Sequence, residues 1–239
     1  MPKITFRSRD EVVPEAFPTP VPAETVIPSW FRRQAKYVGG KRGWMSRGEG
    51  ARLNQTVRAC PIVQDSMASG YLMRTPCDIH VTPNPDGQAA TFDVASGAYC
   101  TISAHHAIQM SEMEFDRHVF YDHAYKLQGE WVIKTPKGYS ALIMHPMYRG
   151  YTPFQTLPGL IDTDRYVGGM NVIFRLRRDF EGVIPVGTPI AQVIPFRRED
   201  WVSEIVAGTP AQWSADYLKS ESKFRGAYRR FAYTKKSWK

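Results

Sequence analysis

The chain has 239 residues, 43% of them apolar and 23% charged, which excludes a disordered chain and leaves room for one large domain or two small ones. No run of 18 apolar residues occurs, and the opening MPKITFRSRDEV has neither the apolar stretch nor the small-residue cleavage site of a secretory signal. The sequence therefore predicts a cytoplasmic protein with no membrane contact. Cys60, Cys77 and Cys100 are three in number and form no CxxC pair, so a disulfide framework and a four-cysteine zinc site are excluded, and the thiols read as buried apolar groups.

Six of the 18 prolines fall in the first 28 residues. Proline fixes φ and removes a ladder donor, so residues 1–36 read as an extended arm. Its end, IPSWFRRQ, sets Trp30 and Phe31 beside Arg32 and Arg33, an apolar anchor that suits either a docking peptide or an arm pinned on its own domain. Residues 37–52 hold five glycines and four cations without the order of a phosphate-binding GxxxxGK[ST] loop, and read as a solvated loop or a phosphate contact.

The main domain is expected over 37–198 and is mostly β. Short apolar or alternating runs punctuated by Pro, Gly, Asn and Asp place strands at 69–74, 78–82, 90–94, 98–103, 131–135, 139–145, 170–176 and 189–196. Asp86-Gly87 in TPNPDGQ marks a hairpin, and TPKGY and VIPVGTP mark further turns. Many short strands with long connections predict a barrel or a folded double sheet. After Glu199, Trp201, Ile205 and Val206, then Trp213, Tyr217 and Leu218, recur at helical spacing and predict two short helices within 199–239.

Charge is concentrated at the end. Eight cations lie between Lys219 and Lys239 against Glu221 alone, so the last 21 residues carry +7 of the net +8. Phe224, Tyr228 and Phe231 share a helical face there. The tail is thus either a docked helix with solvated cations, or a surface in which Arg225, Arg229, Arg230, Lys235 and Lys236 engage nucleic acid or an acidic partner.

His105 and His106 are adjacent and so point to opposite faces of a strand, and His118 and His123 are five apart, the wrong offset for one helix face. No HExxH or comparable ligand spacing occurs, so neither a metal nor a resident cofactor is expected. In GLIDTDRYVGG, by contrast, Asp162 and Asp164 alternate and share one face of a strand or turn, with Gly168 and Gly169 allowing a close approach. The pair suits either the orientation of a water or sugar hydroxyl or a capped turn.

That segment resembles the third motif of the dUTPase and dCTP deaminase superfamily: Gly159, Leu160, Ile161, Asp162, Thr163 and Asp164 match it in order. Ile184, Pro185, Gly187, Ile190, Ala191, Gln192 and Val193 match its closing strand, and WVIKTPKGYSALIMHPMYR its strand-turn-strand block. The resemblance covers residues 131–196 and implies a folded double-sheet, β-clip domain that commonly forms a trimer. If the chain is an enzyme, it implies Asp162 and Asp164 as catalytic residues. Arg149, Tyr166 and Gln192, with His105 from the histidine segment, are then ligand-binding candidates, and Mg²⁺ would bridge phosphate oxygens.

The departures point elsewhere. The superfamily's Pro-Arg-Ser-Gly motif is replaced by His145-Pro146-Met147-Tyr148-Arg149, and Arg165 separates Asp164 from Tyr166. In SGYLMRT the aspartate of the first motif gives way to Leu72, and the glycine-rich closing motif is missing. A working dUTPase is therefore not expected. From IPSWFRRQ through TVRAC and the WVIKTPKGYS block to FRRED, the whole chain also resembles a family frequent in tailed-phage genomes. That resemblance implies a viral origin, and with it a place in the infected bacterial cytoplasm or the virion; the proline-rich arm and the basic tail then suit a structural or accessory protein with virion proteins or nucleic acid as partners. A nucleotide or metabolite phosphohydrolase or binder is the alternative.

Overall fold

The computed structural model describes every residue except 9–10, 12–14, 16, 47–50, 95–99, 221–232 and 239. The chain divides into two compact units, Met1–Val26 with Gly70–Arg198, and Ile27–Ser69 with Glu199–Lys239. This differs from the boundaries read from sequence: residues 37–69, expected to open the β domain, belong with the C-terminal region.

The strands of the first unit are β1 (Thr5–Ser8), β2 (Val21–Pro22), β5 (Tyr71–Arg74), β6 (Ile79–Pro83), β7 (Ala90–Val94), β8 (Thr101–His105), β9 (Phe120–Gln128), β10 (Trp131–Lys134), β11 (Tyr139–Met144), β12 (Phe154–Thr156), β13 (Gly159–Ile161), β14 (Asn171–Arg177), β15 (Gly182–Ile184) and β16 (Pro189–Arg197). They pair antiparallel into a five-stranded sheet, β13-β11-β16-β5-β2, and a four-stranded sheet, β12-β14-β9-β8. Smaller sheets β15-β6-β7 and β1-β10 complete the unit. The protein is mostly β.

Two-residue alternation sends Val172, Phe174 and Leu176 of β14 into the core, where they meet Tyr121, Tyr125 and Leu127 of β9. Phe92 packs edge-on against Tyr125 at 4.6 Å and Phe174 at 6.0 Å, and each such ring contributes about 1.5–3 kcal/mol by leaving water. Tyr125 keeps its hydroxyl satisfied by accepting from the Ala90 N–H at 3.0 Å. Gly70 has φ of +67°, and a Cβ there would lie 2.0 Å from the Val193 carbonyl oxygen, so only glycine admits this approach of the β5 entry to β16.

Most expected strands lie within a residue or two of their places. The one expected at 98–103 runs instead over β8, with residues 98 and 99 outside the described set. The longest omission from the sequence reading is β9, where His123 falls in the register of the core residues Tyr121, Tyr125 and Leu127 and where the pairing with β14 contains a bulge.

The second unit contains β3 (Trp44–Ser46) paired with β4 (Ala51–Leu53), and the helices α1 (Ser29–Arg33), α2 (Pro61–Ala68) and α3 (Pro210–Ser220). Of the two helices expected after Glu199, one is present among the described residues. Residues 199–209 have no regular structure, and α3 begins at a reciprocal cap in which Gln212 N–H donates to Thr209 Oγ1 and Thr209 N–H to Gln212 Oε1. Arg58 closes α1 by donating to the carbonyls of Phe31, Arg32 and Gln34. The glycine-rich loop is clasped by buried Asn54, which donates to Val38 O at 2.6 Å and Lys41 O at 2.8 Å and accepts from Gly43 N–H at 2.7 Å. Among the described residues no helix is long and apolar enough to cross a membrane.

Candidate functional site

The two carboxylates sit on a tight turn after β13. Thr163 N–H donates to Ile161 O, and the N–H groups of Arg165 and Tyr166 both donate to Asp162 O, at 2.9 and 2.8 Å. This turn faces the Pro136–Tyr139 turn that leads into β11. Thr135 and Thr163 hydroxyls lie 2.7 Å apart, and Gly138, at φ of +87°, directs its N–H to Asp164 Oδ2 at 2.8 Å.

The partner that organises both carboxylates is Arg198, at the end of β16. Its main-chain N–H donates to Gly138 O at 2.8 Å. Its guanidinium grips Asp164 in a two-point contact, Nη1 to Oδ1 at 2.9 Å and Nη2 to Oδ2 at 2.5 Å. Nη1 also lies 2.9 Å from Ser140 Oγ and Tyr139 O and 3.1 Å from Asp162 Oδ1. Ser140 Oγ donates to Asp162 Oδ1 at 2.7 Å. Asp164 is only 4% exposed at its side chain, whereas Asp162 is 56% exposed. The Arg198 contact, reinforced by the Gly138 N–H, holds the Asp164 carboxyl well below the usual carboxylate range. A carboxylate so held is a poor proton acceptor, which removes Asp164 from general-base chemistry. Asp162 retains one oxygen that can accept from a ligand hydroxyl.

Beside Asp162 an open depression of about 670 Å³ is lined by Leu160, Ile161, Asp162, Arg165, Tyr166 and Asn171. Tyr166 leans along the turn, its hydroxyl 3.4 Å from Gly169 O. The close approach expected at Gly168 is to this ring: a Cβ on Gly168 would lie 2.4 Å from the Tyr166 hydroxyl. Lys134 Nζ donates to Tyr166 O at 2.6 Å and fixes the backbone there.

The other sequence candidates lie apart. Arg149 donates to the carbonyls of Val26 and Ala23 and so closes the 3₁₀ turn Ala23–Thr25; burial lowers its pKa. It follows Tyr148, whose φ of 58° redirects the chain. Gln192 is fully buried and accepts from Met147 N–H at 3.0 Å. His105 lies on β8 of the four-stranded sheet. His145 is held between Thr152 Oγ1 and the Thr156 N–H, and burial lowers its pKa. Among the described residues no hydrogen bond joins Arg149, Gln192 or His105 to the carboxylate pair, and no three His, Cys, Asp or Glu side chains gather as a metal site.

In the tail, Lys236 Nζ pairs with Asp65 Oδ2 at 2.6 Å and Tyr233 donates to Asp65 Oδ1, so one proposed nucleic-acid contact is tied to α2. Lys235 is exposed, and Arg225, Arg229 and Arg230 lie outside the described residues. Sequence reasoning missed Arg198. The signal was present in FRRED, directly after the closing strand, but strand parity was needed to choose between Arg197 and Arg198. Comparison of the chain with protein-family models and with curated proteins finds no match.

Proposed function

We propose that the chain is a non-catalytic structural or accessory protein of the tailed-phage kind, built on a dUTPase-like scaffold and working as a homo-oligomer, a trimer being favoured. One observation carries the non-catalytic part: the carboxylate pair that would orient a water is engaged by Arg198, Ser140 and Gly138, and Arg149 is spent on carbonyls elsewhere. The assembly part is supported by residues 199–213, where Trp201, Val202, Ile205, Val206 and Trp213 are between 72% and 101% exposed. Five large apolar side chains left in water over so short a stretch mark a surface that a partner covers. The same reading puts the protein in the infected bacterial cytoplasm or the virion.

A second reading, a nucleotide or metabolite binder, is favoured by the depression beside Asp162 and Tyr166. There Asp162 would accept a sugar hydroxyl and Tyr166 would pack on the sugar, with Mg²⁺ accompanying the phosphates.

Sedimentation of the purified full chain at micromolar concentration tests the assembly reading. A homo-oligomer that dissociates when Trp201 and Ile205 are both replaced by Asp is expected; a monomeric wild type overturns it. Incubation with a panel of nucleoside triphosphates and Mg²⁺ tests the rest. No phosphate or pyrophosphate release is expected, and catalytic turnover of any of them would overturn the non-catalytic assignment.

A further inference from the structure

A row of side chains on the four-stranded sheet, with Arg175 at one end and His105 at the other, is not used by the assembly reading. Along β14, Phe174 enters the core, so its neighbour Arg175 points to the opposite face. The register pairs Arg175 with Ala124 and Ala124 with His105, which sets the three side by side on that face, Ala124 in the middle. Arg175 is nevertheless only 7% exposed and Ala124 fully buried. The cover includes the chain between β8 and β9: Phe115 lies between two guanidiniums, 4.0 Å from Arg175 and 4.5 Å from Arg117.

The polar surroundings of Arg175 are poor. Its Nη2 donates to Met113 Sδ at 2.9 Å, and a thioether is a weak acceptor. Its Nε is buried with no hydrogen-bond partner, and so is His105 Nε2. The nearby carboxylate, Asp122, is taken up by Arg117 at 3.0 Å and Arg178 at 3.6 Å, and among the described residues no carboxylate pairs with Arg175. Burial first, and the charge of Arg117 second, lower the Arg175 pKa, as expected of a cation lacking its counter-ion. Buried polar atoms without partners are rare, and two of them flanking the smallest side chain of a row point to a missing polar partner. With strands about 4.8 Å apart, the backbones of Arg175 and His105 stand roughly 10 Å from each other across Ala124, a gap that a tetrahedral oxyanion can bridge from the two side chains.

We propose that Arg175 and His105 form a phosphate-binding site over Ala124, in which a phosphate oxygen replaces Met113 Sδ as the acceptor for Arg175 and the segment bearing Met113 and Phe115 closes over the anion. Arg117, sharing the Phe115 ring, adds positive potential at the rim. The site is separate from the Asp162 turn and does not depend on assembly.

The test is a titration of the full-length protein with inorganic phosphate at constant ionic strength, chloride replacing phosphate. It is followed by the arginine Nε–Hε resonances and by the thermal midpoint. One Nε resonance, missing from Arg175→Met, is expected to move saturably, and the midpoint to rise with phosphate in the wild type alone. His105→Gln is expected to weaken binding on the order of tenfold, the scale of one charge-assisted hydrogen bond. Displacement of phosphate by phenyl phosphate would assign the site to phosphate monoesters, and its failure to free phosphate. Absence of a saturable shift at the Arg175 resonance would overturn the proposal, as would a phosphate response of Arg175→Met equal to that of the wild type. Should Arg175→Met fail to fold, Arg175→Lys, which keeps the charge and removes the Nε–Hε group, assigns the resonance in its place.

Discussion

Arg198 and Arg175 are both drawn largely out of water, yet the molecule treats them in opposite ways. Arg198, directly after β16, lies among acceptors and grips Asp164 at two points, and that contact raises its pKa. Arg175 lies beneath Met113 and Phe115 with a thioether for an acceptor, and burial lowers its pKa. Arg175 is 7% exposed and the Arg198 side chain 30%, but what surrounds each guanidinium separates the two further than depth does. What separates a closed structural clamp from a site ready for a ligand is whether the carboxylate comes from the chain itself. The carboxylate pair that sequence patterns single out is therefore the chemically quieter region, and the solvent-like arginine of FRLRR is the unfinished one.

The largest effect is expected at the clamp. Arg198→Met leaves the Asp164 carboxylate, nearly excluded from water, with the Gly138 N–H as its remaining strong donor. The thermal midpoint should fall by roughly 5–10 °C in scanning calorimetry, and a fall below about 2 °C would show that the clamp does not hold the two turns together. Acid tests the same contact. The folded-state pKa of Asp164 is depressed below its ordinary 3.8, so the unfolded chain binds more protons in that window, and the stabilisation is present above it. It is lost as pH falls from about 4 toward the folded value. The unfolding midpoint should drop steeply there in the wild type and less steeply in Asp164→Asn, while equal slopes would assign acid sensitivity to other groups.

Much of the first unit was legible because local signals agreed. β7 alternates cleanly, β10 and β11 are short apolar runs, and all three are bounded by Asp86-Gly87 or the Pro136–Gly138 turn, so residue pattern and turn chemistry identify them together. β9 was not legible, because Ala124 and Lys126 share a face on which Ala124 is buried by other chain, and the bulge between Arg175 and Arg177 in its pairing breaks the count. α2 was missed because Pro61 at its first turn reads as a breaker although it starts the helix. At the site, Asp162 and Asp164 were found from sequence, but Arg198 lies 34 residues beyond Asp164 and reaches it only through the pairing of β11 with β16. Arg175 could not be found from sequence at all: Arg175 and Arg177 alternate as a solvent face would, and only the covering segment changes their meaning.

Arg149 supplies a case between the two extremes. Its acceptors are neutral carbonyls at the end of the 3₁₀ turn Ala23–Thr25, better than a thioether and weaker than a carboxylate. Arg149→Met should destabilise by about 1–2 kcal/mol, read as a lower urea midpoint with an unchanged denaturant slope. A loss as large as that of Arg198→Met would mean that acceptor charge does not set the ranking.

The smallest expected effect has the opposite sign. Arg175→Met makes the same substitution as at Arg198, but here it removes a buried cation with no carboxylate partner and leaves no acceptor stranded except Met113 Sδ, which is content without a donor. The methionine follows the aliphatic stem of the arginine between Phe115 and Ala124 and adapts to the space that the guanidinium vacates. Part of the gain is offset by the lost contact of the guanidinium with the Phe115 ring, 4.0 Å away. The net expectation in phosphate-free buffer is a change between zero and about 1 kcal/mol in favour of the variant. Added phosphate should reverse the order, because it stabilises only the protein that retains Arg175. Urea unfolding of both proteins with and without phosphate measures all four values, and a variant less stable than the wild type by more than about 1 kcal/mol without phosphate would show that the thioether and ring contacts already satisfy Arg175.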